Sequence, residues 1–142
     1  MSNYTLAIVK PDAVASGKAG SIIAHLEKQG FKVRALRMIR LTEAQAGEFY
    51  AVHAERPFYK SLVSFMTSGP AIPMLLEKEG AVLALRDAIG ATDPAEAAAG
   101  TVRALFAESK ERNAIHASDS NENATREAAF FFAMADVLGA KA

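Results

Sequence analysis

Three histidines occur in the chain, and one stands where an imidazole could do chemistry. His116 lies in NAIHASDS, Asn113 to Ser120, among small and polar residues. If the stretch Asn113 to Ser118 is a short strand, alternation puts His116 on one face with Ala114 and Ser118 and sends Ile115 to the other. The isoleucine then serves the core, and the histidine looks into whatever lies opposite. Further on, Glu127 sits at the margin of an apolar stripe made by Ala124, Ala128 and Phe131 at helical spacing. A carboxylate so placed needs a partner, and His116 and Ser118 are close enough in sequence to supply one. A carboxylate on one ring nitrogen fixes the tautomer and leaves the other nitrogen its lone pair, as a histidine nucleophile requires. The same pattern suits a hydrogen-bonded histidine in a core, and local features alone leave that alternative open. His25, in an amphipathic pattern, and His53, at a helix end, read as surface or packing residues. Without ligand spacing, the histidines make no case for a metal cage.

A histidine nucleophile would need cations around it if its substrate were a phosphate. Candidates are spread along the chain: Lys10 beside Pro11-Asp12, Arg86 before a weakly patterned stretch, Thr92 in a turn, and Arg103 beyond it. Singly, each reads as a solvated charge or a turn hydroxyl. SGKAGS, Ser16 to Ser21, resembles a phosphate loop, but that motif needs a glycine where Asp12 stands. No GxGxxG fingerprint occurs. Phosphate binding must therefore come from side chains.

The elements that would position these groups follow from periodicity. Tyr4 to Lys10 alternates and is rich in strand formers, with Pro11 ending it. Gly20 to Gln29 is helical and closes at Gly30. Phe31 to Leu41 alternates apolar with basic residues, as a strand with one wet face does. Thr42 to Gln45 spells a capping box for a helix reaching about Val52. Tyr59 to Thr67 is a short helix. Ala71 to Glu77 is apolar enough for a buried strand, although Pro73 points to a sheet edge. Ala81 to Ile89 is helical, and Gly90 to Asn113 reads as a long irregular loop of the kind that carries function. Asn113 to Ser118 is the last strand. Ser120 caps a final helix from Asn121 to about Phe132. Without the hairpin of two helices after the second strand, the order is βαββαβ. The fold class is therefore α+β and ferredoxin-like, a four-stranded antiparallel sheet with helices on one face. The uncovered face makes self-association an expectation.

Composition sets the outer bounds. A chain of 142 residues suits one domain, here 1–142. Lysine plus arginine equals aspartate plus glutamate, 16 each, a neutral balance that gives no support for non-specific nucleic-acid binding. There is no cysteine, so thiol chemistry and disulfides are excluded. The apolar run Leu6 to Val9 is too short for a signal peptide or membrane span, and a cytoplasmic location is expected.

NAIHASDS resembles the active-site signature N-x-x-H-G-S-D of nucleoside diphosphate kinases. Five further segments resemble that family in order: VKPDAV (Val9 to Val14), ERPFYKSLV (Glu55 to Val63), TSGPA (Thr67 to Ala71), RDAIGATDP (Arg86 to Pro94) and GTVR (Gly100 to Arg103). The resemblance covers roughly residues 5 to 135 and implies ping-pong transfer of a γ-phosphate from a nucleoside triphosphate, ATP above all, through phosphohistidine on His116 to a nucleoside diphosphate. It implies that Lys10 contacts phosphate and sugar, that Asn113 contacts the sugar, and that Arg86, Thr92 and Arg103 hold phosphates. It further implies that Tyr50 and Glu127 orient His116, that Ser118 supports Glu127, and that Phe58 stacks on the base beside Leu62. Mg²⁺ would arrive on the phosphates with few protein ligands. Dimers, tetramers or hexamers are implied as well. Ala117 replaces the signature glycine, at a strain of about 1–2 kcal/mol if its φ is positive. Lys110 stands where an apolar residue usually covers the base, Leu105 replaces an acidic residue, and the tail VLGAKA is atypical. A competing reading is a non-catalytic nucleotide-binding module of the same fold, since fold alone does not give chemistry.

Overall fold

Tyr4–Val9 forms strand β1, and all six of its residues are buried. A strand buried on both sides must be central with cover on both faces. In the computed structural model, which describes residues 3–141 apart from the side chains of Leu138, Ala140 and Lys141, the sheet order is β2-β3-β1-β4. Here β2 is Lys32–Leu36, β3 is Ile72–Glu77 and β4 is Ile115–Ala117. Every pairing is antiparallel. The ferredoxin-like α+β expectation holds.

The single-sided cover does not. Alternate residues of β1 enter two separate cores. Ala7 and Val9 pack with Met74, Leu76 and Ile115 beneath α2 (Ala19–Lys28) and α5 (Ala81–Ile89). Leu6 and Ile8 pack with Leu75 beneath α3 (Glu43–Phe49), α4 (Tyr59–Met66) and α7 (Asn121–Phe131). The hairpin helices, set aside in deriving the βαββαβ pattern, supply much of the second cover. The sheet face that was expected to drive self-association is thus closed by the chain itself.

Pro73 lies in a central strand, not at an edge. Its carbonyl accepts from the Arg37 N–H at 3.2 Å, so its missing N–H is on the β2 side. There β2 has already ended, and beyond it Ile39 makes an isolated bridge with Ala71. The strand expected over Phe31 to Leu41 is shortened accordingly and carries an irregularity between Val33 and Ala35.

Three short helices were not read from the sequence. Pro11 opens α1 (Pro11–Ala15) as its first residue, where proline is tolerated. Within the expected loop lies α6 (Val102–Phe106), whose cap Thr101 accepts from the Ala104 N–H. Met134–Lys141 forms α8. Of the atypical tail, Ala142 and the side chains of Leu138, Ala140 and Lys141 lie outside the described residues. The Thr42 capping box is present as expected, and Ser120 caps α7 by accepting from the Asn123 N–H. Among the described residues, no helix is long and apolar enough to cross a membrane.

Candidate active site

Register decides where His116 points. In β4, His116 pairs with Ile8 of β1, while Ile115 pairs with Val9 and Ala117 with Ala7. Residues opposite one another in an antiparallel pair share a face. His116 therefore lies on the Leu6/Ile8 side, against α3 and α7, and Ile115 enters the other core. Ser118 follows on the histidine's side, as alternation predicts. Ala114 does not: it lies before the strand, has φ +74° and packs with Ile115. That left-handed backbone keeps Asn113 and Ala114 out of β4, which is three residues long where the sequence predicts a run from Asn113 to Ser118.

On α7, Glu127 is buried and points at the histidine. Its Oε1 accepts from His116 Nε2 at 2.7 Å and from the Ser118 hydroxyl at 2.9 Å. With Nε2 donating, Nδ1 is the ring nitrogen that keeps a lone pair. The Phe49 and Tyr50 rings meet the imidazole edge-on, with centroids at 5.6 and 6.2 Å. Burial and the Glu127 charge both raise the Tyr50 hydroxyl above its ordinary range, so it stays protonated. Tyr50 meets His116 through its ring.

His116 opens on a cavity of about 480 Å³, within the range of small-molecule sites. Lys10, Arg86, Thr92 and Arg103 line it on one side, and Phe58 and Leu62 on another. Asn113 and Ser118 do not line it but hold residues that do. The Asn113 Oδ1 accepts from Lys10 Nζ at 2.9 Å, and its amide donates to the Thr92 carbonyl at 3.3 Å. Arg103 donates to the carbonyls of Gly90 (3.1 Å), Asn113 (3.3 Å) and Ile115 (2.7 Å), tying the long loop to β4. Two of its five N–H groups remain for other partners.

Cations crowd here although the chain is neutral. Burial pushes the Lys10 ammonium down to about 8, with Asp12 opposing that shift and Arg103 adding to it. Burial, reinforced by Arg86, pushes Arg103 down to about 10. Mutually repelling, desolvated cations at one cavity wall form an anion site. Among the described residues, no three His, Cys, Asp or Glu side chains cluster to hold a metal ion.

Some cavity residues escaped the sequence reading. Asn123 and Glu127 are four apart on α7, so helical spacing could have revealed Asn123. Arg126 approaches Glu127 Oε2 at 3.6 Å and lies over the Phe49 ring. Asp119, held below the usual carboxylate range chiefly by the Asn123 amide, lines the same wall. His53 packs on Phe58 with centroids 5.6 Å apart and lines the cavity as well. Lys110 and Leu105 are exposed and do not line it. Ala117 has no positive φ, so replacing the signature glycine there costs no backbone strain.

An imidazole held by an acid at a cationic cavity is the equipment of a nucleotide phosphotransferase. The comparisons agree. The family model for nucleoside diphosphate kinase matches residues 3–137. The nucleoside diphosphate kinase of Chlorobium chlorochromatii (strain CaD3) is 60% identical over 134 residues, covering 94% of this chain and 96% of that one. That of Gluconacetobacter diazotrophicus is 56% identical over the same length and coverage. The crystal structure of the Aquifex aeolicus nucleoside diphosphate kinase superposes with a TM-score of 0.92 at 47% identity, covering 94% of this chain and 97% of that one. The chain belongs to the nucleoside diphosphate kinase family. Its activity is transfer of the γ-phosphate of a nucleoside triphosphate to a nucleoside diphosphate, which in this family requires a divalent cation. The non-catalytic alternative is not favoured.

Proposed function

We propose that His116 Nδ1 is the atom that carries the phosphate. The carrying observation is the 2.7 Å bond from its Nε2 to buried Glu127, at the wall of a cavity lined by Lys10, Arg86 and Arg103. The Nδ1 lone pair attacks the γ-phosphorus, an N–P bond forms, and the bond from phosphorus to the bridging oxygen breaks. The nucleoside diphosphate leaves with that electron pair. Nε2 keeps its proton, and Glu127 balances the positive charge that grows on the ring. A second nucleoside diphosphate reverses the step. The cations neutralise the transferring group while the protein mainly positions it. Thr92 contributes a hydroxyl to the phosphates, and Asn113 acts behind the cavity wall, holding Lys10 and the Thr92 turn in place. Phe58, half exposed, offers a ring face that any base can stack on, with Leu62 beside it.

ATP as the usual donor and Mg²⁺ as the cation complete the reading. The cavity's acids fit a cation that rides on the phosphates: Glu127 is engaged, and Asp119 can take hydrogen bonds from waters on the ion. Bound Mg²⁺ would neutralise the β- and γ-oxygens. A homo-oligomer is also proposed, supported by exposed Leu36 and Met38 on and beside edge strand β2. A monomeric mass by light scattering would end that part.

The test is incubation with Mg-ATP. The protein should acquire an acid-labile phosphate that a nucleoside diphosphate discharges. His116→Ala should fold and take up none. Full phosphate uptake by that variant would refute the assignment.

A further inference from the structure

Asp12 lies outside the cavity lining, yet its side chain is hydrogen-bonded at the entry of the strand that carries His116. It is almost fully buried in α1. Its Oδ2 accepts from the Ala114 N–H at 3.0 Å, while its Oδ1 is buried with no hydrogen-bond partner. Ala114 has φ +74°, alone among the described non-glycine residues in lying in the left-handed region, and such a conformation persists only when its surroundings over-determine it. Its other polar group is tied down too, since its carbonyl accepts from the Lys10 N–H at 2.8 Å. Immediately before it, Asn113 receives the Lys10 ammonium. A carboxylate with an orphan oxygen is poorly used as a mere turn clip, because an uncharged acceptor would serve that bond without the cost of burying a charge.

We infer that Asp12 is a positioning residue for phosphate binding: its carboxylate pins the left-handed Ala114, which sets Asn113 against Lys10, and it stands as the counter-charge to the Lys10 ammonium. This rests on the reading of Lys10 as a phosphate ligand. The groups that face Lys10 are few. Asp12 comes from α1 and Arg103 from α6. The Phe65 ring of α4 lies 5.3 Å from Nζ and also takes Arg112, whose own partner is Glu108. Of these, Asp12 is the negative charge that acts on Lys10, opposing both burial and Arg103. Without it, Lys10 sheds its proton at lower pH, and the phosphate site loses a cation in the neutral range.

Asp12→Asn separates charge from shape, because the amide oxygen can still accept from Ala114. The measurement is KM for Mg-ATP of the full chain between about pH 6 and 9, taken as a ratio to wild type so that the nucleotide's own titration cancels. A tenfold fall in the proton affinity of Lys10 cuts its charged fraction near pH 8 from about half to about a tenth, so the ratio should climb roughly fivefold there and stay near one at about pH 6. Asp12→Glu, which keeps the charge, should show a flat ratio, and adding Lys10→Arg to Asp12→Asn should abolish the climb, because arginine stays charged across this range. A flat ratio in an Asp12→Asn enzyme that still takes phosphate on His116 overturns the inference, as does a climbing ratio in Asp12→Glu. A wild-type protein that takes up no phosphate would instead sink the underlying reading of the site.

Discussion

Glu127→Gln is the perturbation that bears most directly on the role proposed for His116. Glu127 Oε1 accepts two hydrogen bonds, from His116 Nε2 at 2.7 Å and from the Ser118 hydroxyl at 2.9 Å, and the side chain is buried. Glutamine has nearly the same shape and can make both contacts, but it brings no charge. A hydrogen bond to a charged group contributes about 1.5–3 kcal/mol, and one between neutral groups about 1 kcal/mol. As phosphorus bonds to Nδ1, the ring becomes cationic and Nε2–H becomes a stronger donor, so the difference is felt mainly in the transition state. The loss is therefore about 1–2 kcal/mol, a roughly 5- to 30-fold slower charging of His116. Rapid-quench measurement of phosphate uptake from Mg-ATP in a single turnover reads that rate. Glu127 does not reach toward the base or the cationic wall in this reading, so nucleotide affinity should stay within about twofold of wild type. Charging at the wild-type rate by a folded variant would refute the role given to the carboxylate. So would a loss confined to affinity.

Two other substitutions test the surroundings. Phe58→Ala removes the half-exposed ring at the cavity mouth; stacking of about 1–3 kcal/mol is lost, so steady-state KM for nucleoside triphosphates should rise about tenfold with kcat little changed, and an unchanged KM would mean that the base sits elsewhere. Ala117→Gly restores the family's signature residue at a position with no positive φ, so it should lower stability by about 0.5–1 kcal/mol in urea unfolding through added backbone freedom and leave charging intact; a stabilised variant would show that alanine is strained there.

Much of the site was legible because its parts are local. Thr42, Ser120 and the helical stripe of Ala124, Ala128 and Phe131 announce α3 and α7 by themselves. The alternation around Ile115 and His116 states which side chain goes inward. Those features make His116 and Ser118 available partners for Glu127, and the structure has both contacts, at 2.7 and 2.9 Å; the orienting role itself came from the family resemblance. Lys10, Arg86, Thr92 and Arg103 were another matter. Each is an ordinary polar residue in its own stretch, and it was the family resemblance that raised them together.

What the chain alone determines is the order of the four strands and the longer helices and the nearness of Glu127 and Ser118 to His116, since periodicity, caps and close spacing depend on nearby residues. The tertiary structure decided the rest. That both sheet faces are covered follows from where the hairpin helices fold back, and Pro73 is tolerated centrally because β2 ends beside it. The left-handed Ala114 is met by Asp12, which is remote in sequence and adjacent in space. The same is true of the cationic wall: pairing of β1 with β4 brings Lys10 beside Asn113, and Arg103 of α6 is tied back to the same strand end through the Asn113 and Ile115 carbonyls, and no local pattern can record a distance that folding creates.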